Sequence, residues 1–470
     1  MNRPTKIAAA LAVIALSYPA AAWFAGQKIQ TILDEQYAEM QSHPTLKITE
    51  RSYERGVFAS TEKVSFEMAM PAVAEDGTLQ AGEPFRMHAV NQIKHGPLPG
   101  LSTLAAATMD TELVIDGEQG ERLAATLAGK APLTARTVFQ FDGSGHSAVD
   151  SPALEFGMPD GSGNELRIGL GGLKADVAFS AGLRSYTTKG SAESMSMEDP
   201  NMRITLSGLV FDGDQRRLFD DEPWLHVGRQ RATVASMDVS GKEDSELDGM
   251  AFQLERMSYD IDAPAKGDYV DIKALIGTDV LRIGDADYGP AHYDFSLTHL
   301  HGRTLVTLWR KLIEISSDPA ALAAQAEDPT AVFAPLAEPA MALLGHNPAF
   351  SIDRISFTSP HGKTDLSAQL SLDGLQPEEL ANPMMLIAKL QAAADLSVPQ
   401  ALLQAFGSGQ AENEDEAAFA AAQLDAQLGA LEAQGYLQRN DGIVKTQAAF
   451  RQGQLTVNGK PFNPLALGGH

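Results

Sequence analysis

Ser60-Thr61-Glu62-Lys63 has the Ser-x-x-Lys spacing of a serine nucleophile paired with a lysine. Ser162-Gly163-Asn164 and Lys363-Thr364-Asp365 follow it in the order of a penicillin-binding enzyme. That chemistry needs the serine at the start of a helix, so that a lysine one turn later faces its hydroxyl. Here ASTEKVSFEM alternates as a strand, which sends Ser60 and Lys63 to opposite faces. The third box also lacks its glycine, so the spacing predicts strand residues and not a nucleophile.

His299 and His301 in AHYDFSLTHLHG, with His292 upstream, form the one metal-like grouping. On a strand the pair would share a face and reach one zinc or copper ion, with Asp285 or Asp287 as oxygen ligands. The same residues also continue the face of Tyr293, Phe295 and Leu297, as a strand end would, and no metal or cofactor is expected. His95-Gly96-Pro97 offers a general base, but no motif ties a serine or carboxylate to it, so a strand end and a proline-fixed turn are expected. Asp160 to Glu165 imitates the start of a calcium loop without its sixth-position glycine, and reads as a polar turn.

Composition narrows the remaining classes. The 470 residues carry 36 Lys and Arg against 61 Asp and Glu, a formal charge of -25 that repels nucleic acid and excludes it as a partner. Apolar residues at 44% are enough to build a core. Cysteine is absent, which removes disulfides, thiolate catalysis and Cys-based metal centres together.

The candidate residues must be positioned by the elements around them. Arg3 and Lys6 precede an uncharged run from Ile7 to Gly26, about twenty residues long, which suits a bilayer core. Ala20-Ala21-Ala22 also satisfies a signal-peptidase rule. Retention is favoured, because the apolar run continues through Trp23, Phe24 and Ala25. QKIQTILDEQYAEM then extends the helix with Ile29, Ile32, Leu33 and Tyr37 on one side. From Leu46 onward, short alternating segments separated by Asp-Gly, Gly-Asp and Gly-Lys turns predict antiparallel meanders. Gly56 is expected to supply a tight turn between Tyr53 and Phe58. Beyond Arg303 the pattern becomes mixed: RTLVTLWRKLIEI and EDEAAFAAAQLDAQLGALEAQ read as helices, and PAALAAQ and AVFAPLAEPAMALL as short helical pieces. Hairpins are expected to turn at Pro360-His361-Gly362 and at Gly453.

Tyr53-x-Arg55-Gly56-Val57-Phe58-x-Ser60 after an N-terminal apolar helix, His95-Gly96-Pro97-Leu98-Pro99, and a terminal Gly453 to Lys460 stretch containing Asn458-Gly459 together resemble the YdgA-like family of bacterial envelope proteins. The resemblance implies an inner-membrane protein with a large periplasmic part, and supplies no catalytic residues. The architecture is more distantly similar to AsmA-like envelope proteins.

The expected fold class is α+β: an N-terminal transmembrane helix, then a large, mostly antiparallel, twisted and curved β-sheet with helical insertions in its C-terminal part. Residues 1–6 are expected in the cytoplasm, 7–26 as a signal anchor and 27–45 as a juxtamembrane helix. Residues 46–302 form a β-rich periplasmic region and 303–470 a mixed one. Phe66, Leu308, Trp309 and Leu312 are candidates for an apolar groove. The expected role is non-enzymatic: structural maintenance, binding or lipid handling, with a lipid-free scaffold or a cell-wall or lipid hydrolase as alternatives. The inner membrane, lipid and envelope proteins are the expected partners, and exposed sheet edges permit a homodimer.

Overall fold

A computed structural model describes residues 3–41, 46–68, 71–73, 79–81, 84–159, 165–243, 245, 247–284, 286–316, 333–379, 382–408 and 414–463. The chain divides into two compact units. One comprises Met1–His226, Ser240–Gly249 and Arg310–Ala334, and the other Val227–Val239, Met250–Trp309 and Pro335–His470.

The first unit begins with helix α1 (Arg3–Met40). Strands β1 (Leu46–Arg55), β2 (Ala59–Met68), β3 (Phe85–His95), β4 (Ala107–Ile115) and β5 (Leu133–Phe139) follow, with helix α2 (Gly117–Thr126) between β4 and β5. Four longer strands continue the meander: β6 (Gly145–Pro159), β7 (Glu165–Phe179), β8 (Ser185–Glu198) and β9 (Met202–Phe219). Each pairs antiparallel with the strand before it, from β1 through β9. This sequential pairing is what short turns and period-two writing dictate, because a parallel pair would need a long crossover.

The core of this unit lies under α1. Ile29 and Leu33 of the helix bury against Ile93, Ala107 and Phe139, with Ile32, Tyr37 and Tyr53 packed around them. Periodicity placed Ile29, Ile32, Leu33 and Tyr37 on one side, and that side is the one that docks. Along β6 to β9 few side chains are fully buried, Ala192 among them, so these long strands depend mainly on their ladders.

Strand β10 (Glu222–Gly241) is divided between the two units, and in the second unit β11 (Ala251–Ala263), β12 (Tyr269–Thr278), β13 (Ala291–His301), β14 (Ala349–Ser359), β15 (Gly362–Leu372), β16 (Leu390–Pro399), β17 (Ile443–Arg451) and β18 (Gln454–Val457) form a second antiparallel succession. Helices interrupt this succession along the chain: α3 (Gly302–Ser316), whose residues from Arg310 belong to the first unit, and α4 (Phe333–Leu344) between β13 and β14, α5 (Pro383–Lys389) between β15 and β16, and α6 (Gln400–Ser408) and α7 (Glu414–Gln434) between β16 and β17. Leu402 of α6 and Leu428 of α7 bury with Val398, Leu437 and Val444, with Leu424 and Leu431 packed alongside. Gly435, at a φ of 79°, ends α7 in the left-handed conformation that a glycine adopts without penalty.

The protein is thus α+β and dominated by twisted antiparallel sheet, with its helices concentrated in the C-terminal part as expected. Among the described residues no helix is long and apolar enough to cross a membrane. The turn-like Asp160 to Asn164 stretch, including Ser162, lies outside the described residues, as do the helical reading of PAALAAQ and the proposed ligand Asp285.

Candidate functional site

The motif residues of the first unit converge on α1. The β1–β2 hairpin pairs Arg55 with Ser60, and the Gly56 amide donates to the Ala59 carbonyl at 2.8 Å. Gly56 makes this turn without a positive φ. Its role is close approach, since a β-carbon there would meet the Ala59 oxygen at 2.7 Å. Gly96 answers the same need at the end of β3, where its amide donates to the Ala106 carbonyl at 2.6 Å and a β-carbon would lie 2.1 Å from the Ala105 carbonyl oxygen. Pro97 follows, and its carbonyl accepts from the Ala105 amide at 3.2 Å.

Contacts then climb α1 in order. The Tyr18 hydroxyl donates to the Leu98 carbonyl at 2.7 Å and its ring stacks on Phe58 at 5.9 Å. The Arg55 guanidinium lies 5.1 Å from the Trp23 ring centroid and donates to Gln30. Gly26 lies flat against the His95 imidazole. Further along, Tyr37 reaches Glu62 and Arg51.

Glu62 is fully buried, at 0% exposure, and is satisfied on several sides. Arg51 Nε donates to Oε1 at 2.7 Å, Asn91 Nδ2 to Oε2 at 2.8 Å and the Tyr37 hydroxyl to Oε2 at 3.3 Å. The Thr111 hydroxyl donates to the side-chain Oδ1 of Asn91 at 2.7 Å, and Arg51 donates to Asp34 of α1 at 2.6 Å. A buried carboxylate persists only with this degree of compensation. Burial first, and the neighbouring Glu62 charge second, hold the Tyr37 phenol well above its usual range, so Tyr37 remains a donor.

Ser60 and His95 form a pair that no local motif announced. His95 Nδ1 lies 3.0 Å from the Val57 carbonyl, which can only accept, so Nδ1 carries the proton. Nε2 therefore accepts from the Ser60 hydroxyl at 2.8 Å. Burial lowers the His95 pKa, against the pull of the Val57 carbonyl, and Arg55 lowers it further, so the imidazole stays neutral. In an open cleft this arrangement would activate a serine. Here Ser60 is 3% and His95 1% exposed, and no substrate carbonyl can approach the hydroxyl. Lys63 lies on the opposite, exposed face of β2, as strand alternation required. The pair is a polar bond within the helix–sheet joint.

In the second unit His299 and His301 meet around Tyr269, stacked and edge-on at 4.2 and 5.4 Å between ring centroids. The structure adds His346, which stacks on His301 at 4.0 Å and was not anticipated. A register shift opposite Val270 and Ile272 places His299 at a φ of 59°, where its amide donates to Asp271 and its Nδ1 to the His346 carbonyl. The described residues contain no grouping of three or more His, Asp or Glu side chains arranged to hold a metal ion. His292 is near Ser356.

Asn458 and Gly459, both at positive φ, turn the chain after β18, and Asn458 makes paired bonds with the Gln447 backbone. Asn458 also borders a concavity of about 620 Å³ in this unit, lined by Asp353, Arg354, Asp365, Asp395 and Lys445 among others. Of the groove candidates, Phe66 is half-buried on β2, Leu308 is half-buried on α3, and Trp309 and Leu312 of α3 are exposed.

The family described as "Bacterial protein of unknown function (DUF945)" matches residues 1–464. The chain belongs to this family. It is 22% identical to Protein YdgA of Escherichia coli (strain K12) over 509 residues, covering 98% of this chain and 95% of that protein. No solved structure matches it. For this member of the DUF945 family, the YdgA-like motif residues of the first unit are the ones that seat α1 on β1, β2 and β3. Glu62, Asn91 and Arg51 complete that seat. Their signal in the sequence was a polar residue at the buried parity of a strand.

Proposed function

We propose that the protein is held in the bacterial inner membrane by the N-terminal part of α1, faces the periplasm, and serves there as a non-enzymatic binding platform of the cell envelope. The observation that carries this reading is the closure of the motif residues on α1. Residues shaped for turnover would line a cleft, whereas Ser60, Glu62 and His95 are sealed beneath a helix whose upstream sequence, Ile7 to Ser17, is uncharged. Arg3 and Lys6 on the short leading side favour a cytoplasmic N-terminus.

Docking favours retention of the N-terminal segment over its cleavage. Tyr18 is bonded to the sheet unit and Ala22 is fully buried, so cutting after Ala22 would remove contacts that the body uses. The charged and amide-bearing lining of the concavity near Asn458 suits a polar segment of another envelope protein better than an acyl chain.

Alkaline extraction and protease accessibility of cells producing the full chain test the reading. The protein is expected to stay with the membrane pellet and to be digested in spheroplasts but not in intact cells. Release by alkaline wash, or protection in spheroplasts, would overturn it.

A further inference from the structure

We propose that the loop tips beside Tyr18 form an apolar collar that dips into the outer interface of the bilayer around α1, so that the folded body sits in the membrane surface instead of hanging from a free stalk. This rests on the anchoring proposed above.

The collar is built from two loops and a turn of helix. Val57 and Phe58 occupy the β1–β2 corner, Leu98, Leu101 and Leu104 the loop after His95, and Trp23 and Phe24 the adjoining part of α1. All are exposed, Leu101 to 80% and Leu104 to 68%. Water-facing large apolar side chains concentrated at one end of a unit mark a surface that is covered in use. The order of contacts along α1, from Tyr37 at Glu62 through Gly26 at His95 to Tyr18 at Leu98, shows that the helix leaves the sheet at these tips.

Length decides what covers them. If the membrane began only beyond Tyr18, the uncharged stretch from Ile7 to Ser17 would rise about 16 Å. That is roughly half of the hydrocarbon thickness. Including Tyr18 to Phe24 brings the rise to about 27 Å, close to what a span needs. Tyr18 is already bonded to Leu98 and stacked on Phe58, and Ala22 is buried, so this stretch enters the bilayer only if the loop tips enter with it. A depth of about 10 Å is within the interfacial zone that amphipathic elements occupy, and Trp23 would lie in the aromatic belt. Charge cannot supply the attachment, since a net -25 repels an anionic leaflet.

The chain has no cysteine, so single-cysteine labels report cleanly. Full-length protein carrying Leu101→Cys, Leu104→Cys, Ala10→Cys or Val210→Cys, each with an environment-sensitive fluorophore, is reconstituted into phosphatidylcholine vesicles with and without brominated acyl chains. Labels at 10, 101 and 104 are expected to be quenched several-fold more strongly than the label at exposed Val210 of β9. Quenching at 10 with residues 101 and 104 matching residue 210 would overturn the collar and leave the anchor standing. No quenching at residue 10 would overturn the anchoring itself, and the collar with it.

Discussion

Gly26 of α1 and His95 of β3 approach so closely that a β-carbon on residue 26 would lie 2.3 Å from the imidazole Cε1. Helix and sheet are therefore fitted at this point with no room for a side chain. Gly26→Ala must push α1 outward or tilt a ring that is held on both nitrogens. The expected cost is about 2 kcal/mol, in the range for overpacking a close contact. Thermal unfolding of the first unit's signal would show it, and an unchanged midpoint would mean the joint is looser than described.

The Glu62 cluster predicts a non-additive pattern. Arg51→Ala strands a fully buried carboxylate and should cost about 3 kcal/mol in denaturant unfolding. Arg51→Met combined with Glu62→Leu removes both charges and should recover much of that loss, because the desolvation cost disappears with them. Equal costs for the single and double variants would argue against a buried pair.

Ser60 makes a chemical prediction. A fluorophosphonate or a β-lactam probe should leave the native protein unlabelled, although His95 is placed to activate the hydroxyl, because both groups are shut from solvent. Ser60→Ala removes the donor to Nε2 and should lower stability by about 1 kcal/mol. Stoichiometric labelling at Ser60 in the native state would reveal a catalytic serine and overturn the reading of the joint.

Much of this arrangement was legible from periodicity, and part of it was not. The docking side of α1 followed from Ile29, Ile32, Leu33 and Tyr37 at helical spacing, because a helix must bury its stripe. The strand character of ASTEKVSFEM followed likewise, and excluded Lys63 as a partner for Ser60. What alternation could not show was that Ser60 and Glu62, which look like interruptions of an apolar face, are buried on it. Their partners His95 and Asn91 lie on the next strand, and ladder register is a long-range property. His346 joined His301 for the same reason, since α3 and α4 lie between them in the chain. The short helix α2 was not anticipated, because one amphipathic helix between strands carries little signal against the β-rich pattern around it.

Mild acid should weaken the fold through its histidines. His95, His226 and His346 all have pKa values below the ordinary 6.5. Burial is the first cause in each; Arg55 adds to it at His95, Arg217 at His226, and His301 and His299 at His346. The native state thus keeps these rings neutral where the unfolded chain would protonate them. The unfolded state binds more protons as pH falls through 6.5 toward the lowered values, so stability rises with pH in that window and is lost below it. Melting between about pH 7.5 and about pH 5.5 keeps carboxylate titration, which lies lower, largely out of view. The midpoint should fall across that range, and His95→Asn should show a shallower fall as well as a lower starting point. A slope unchanged by His95→Asn would place the acid sensitivity elsewhere than the joint between α1 and the sheet.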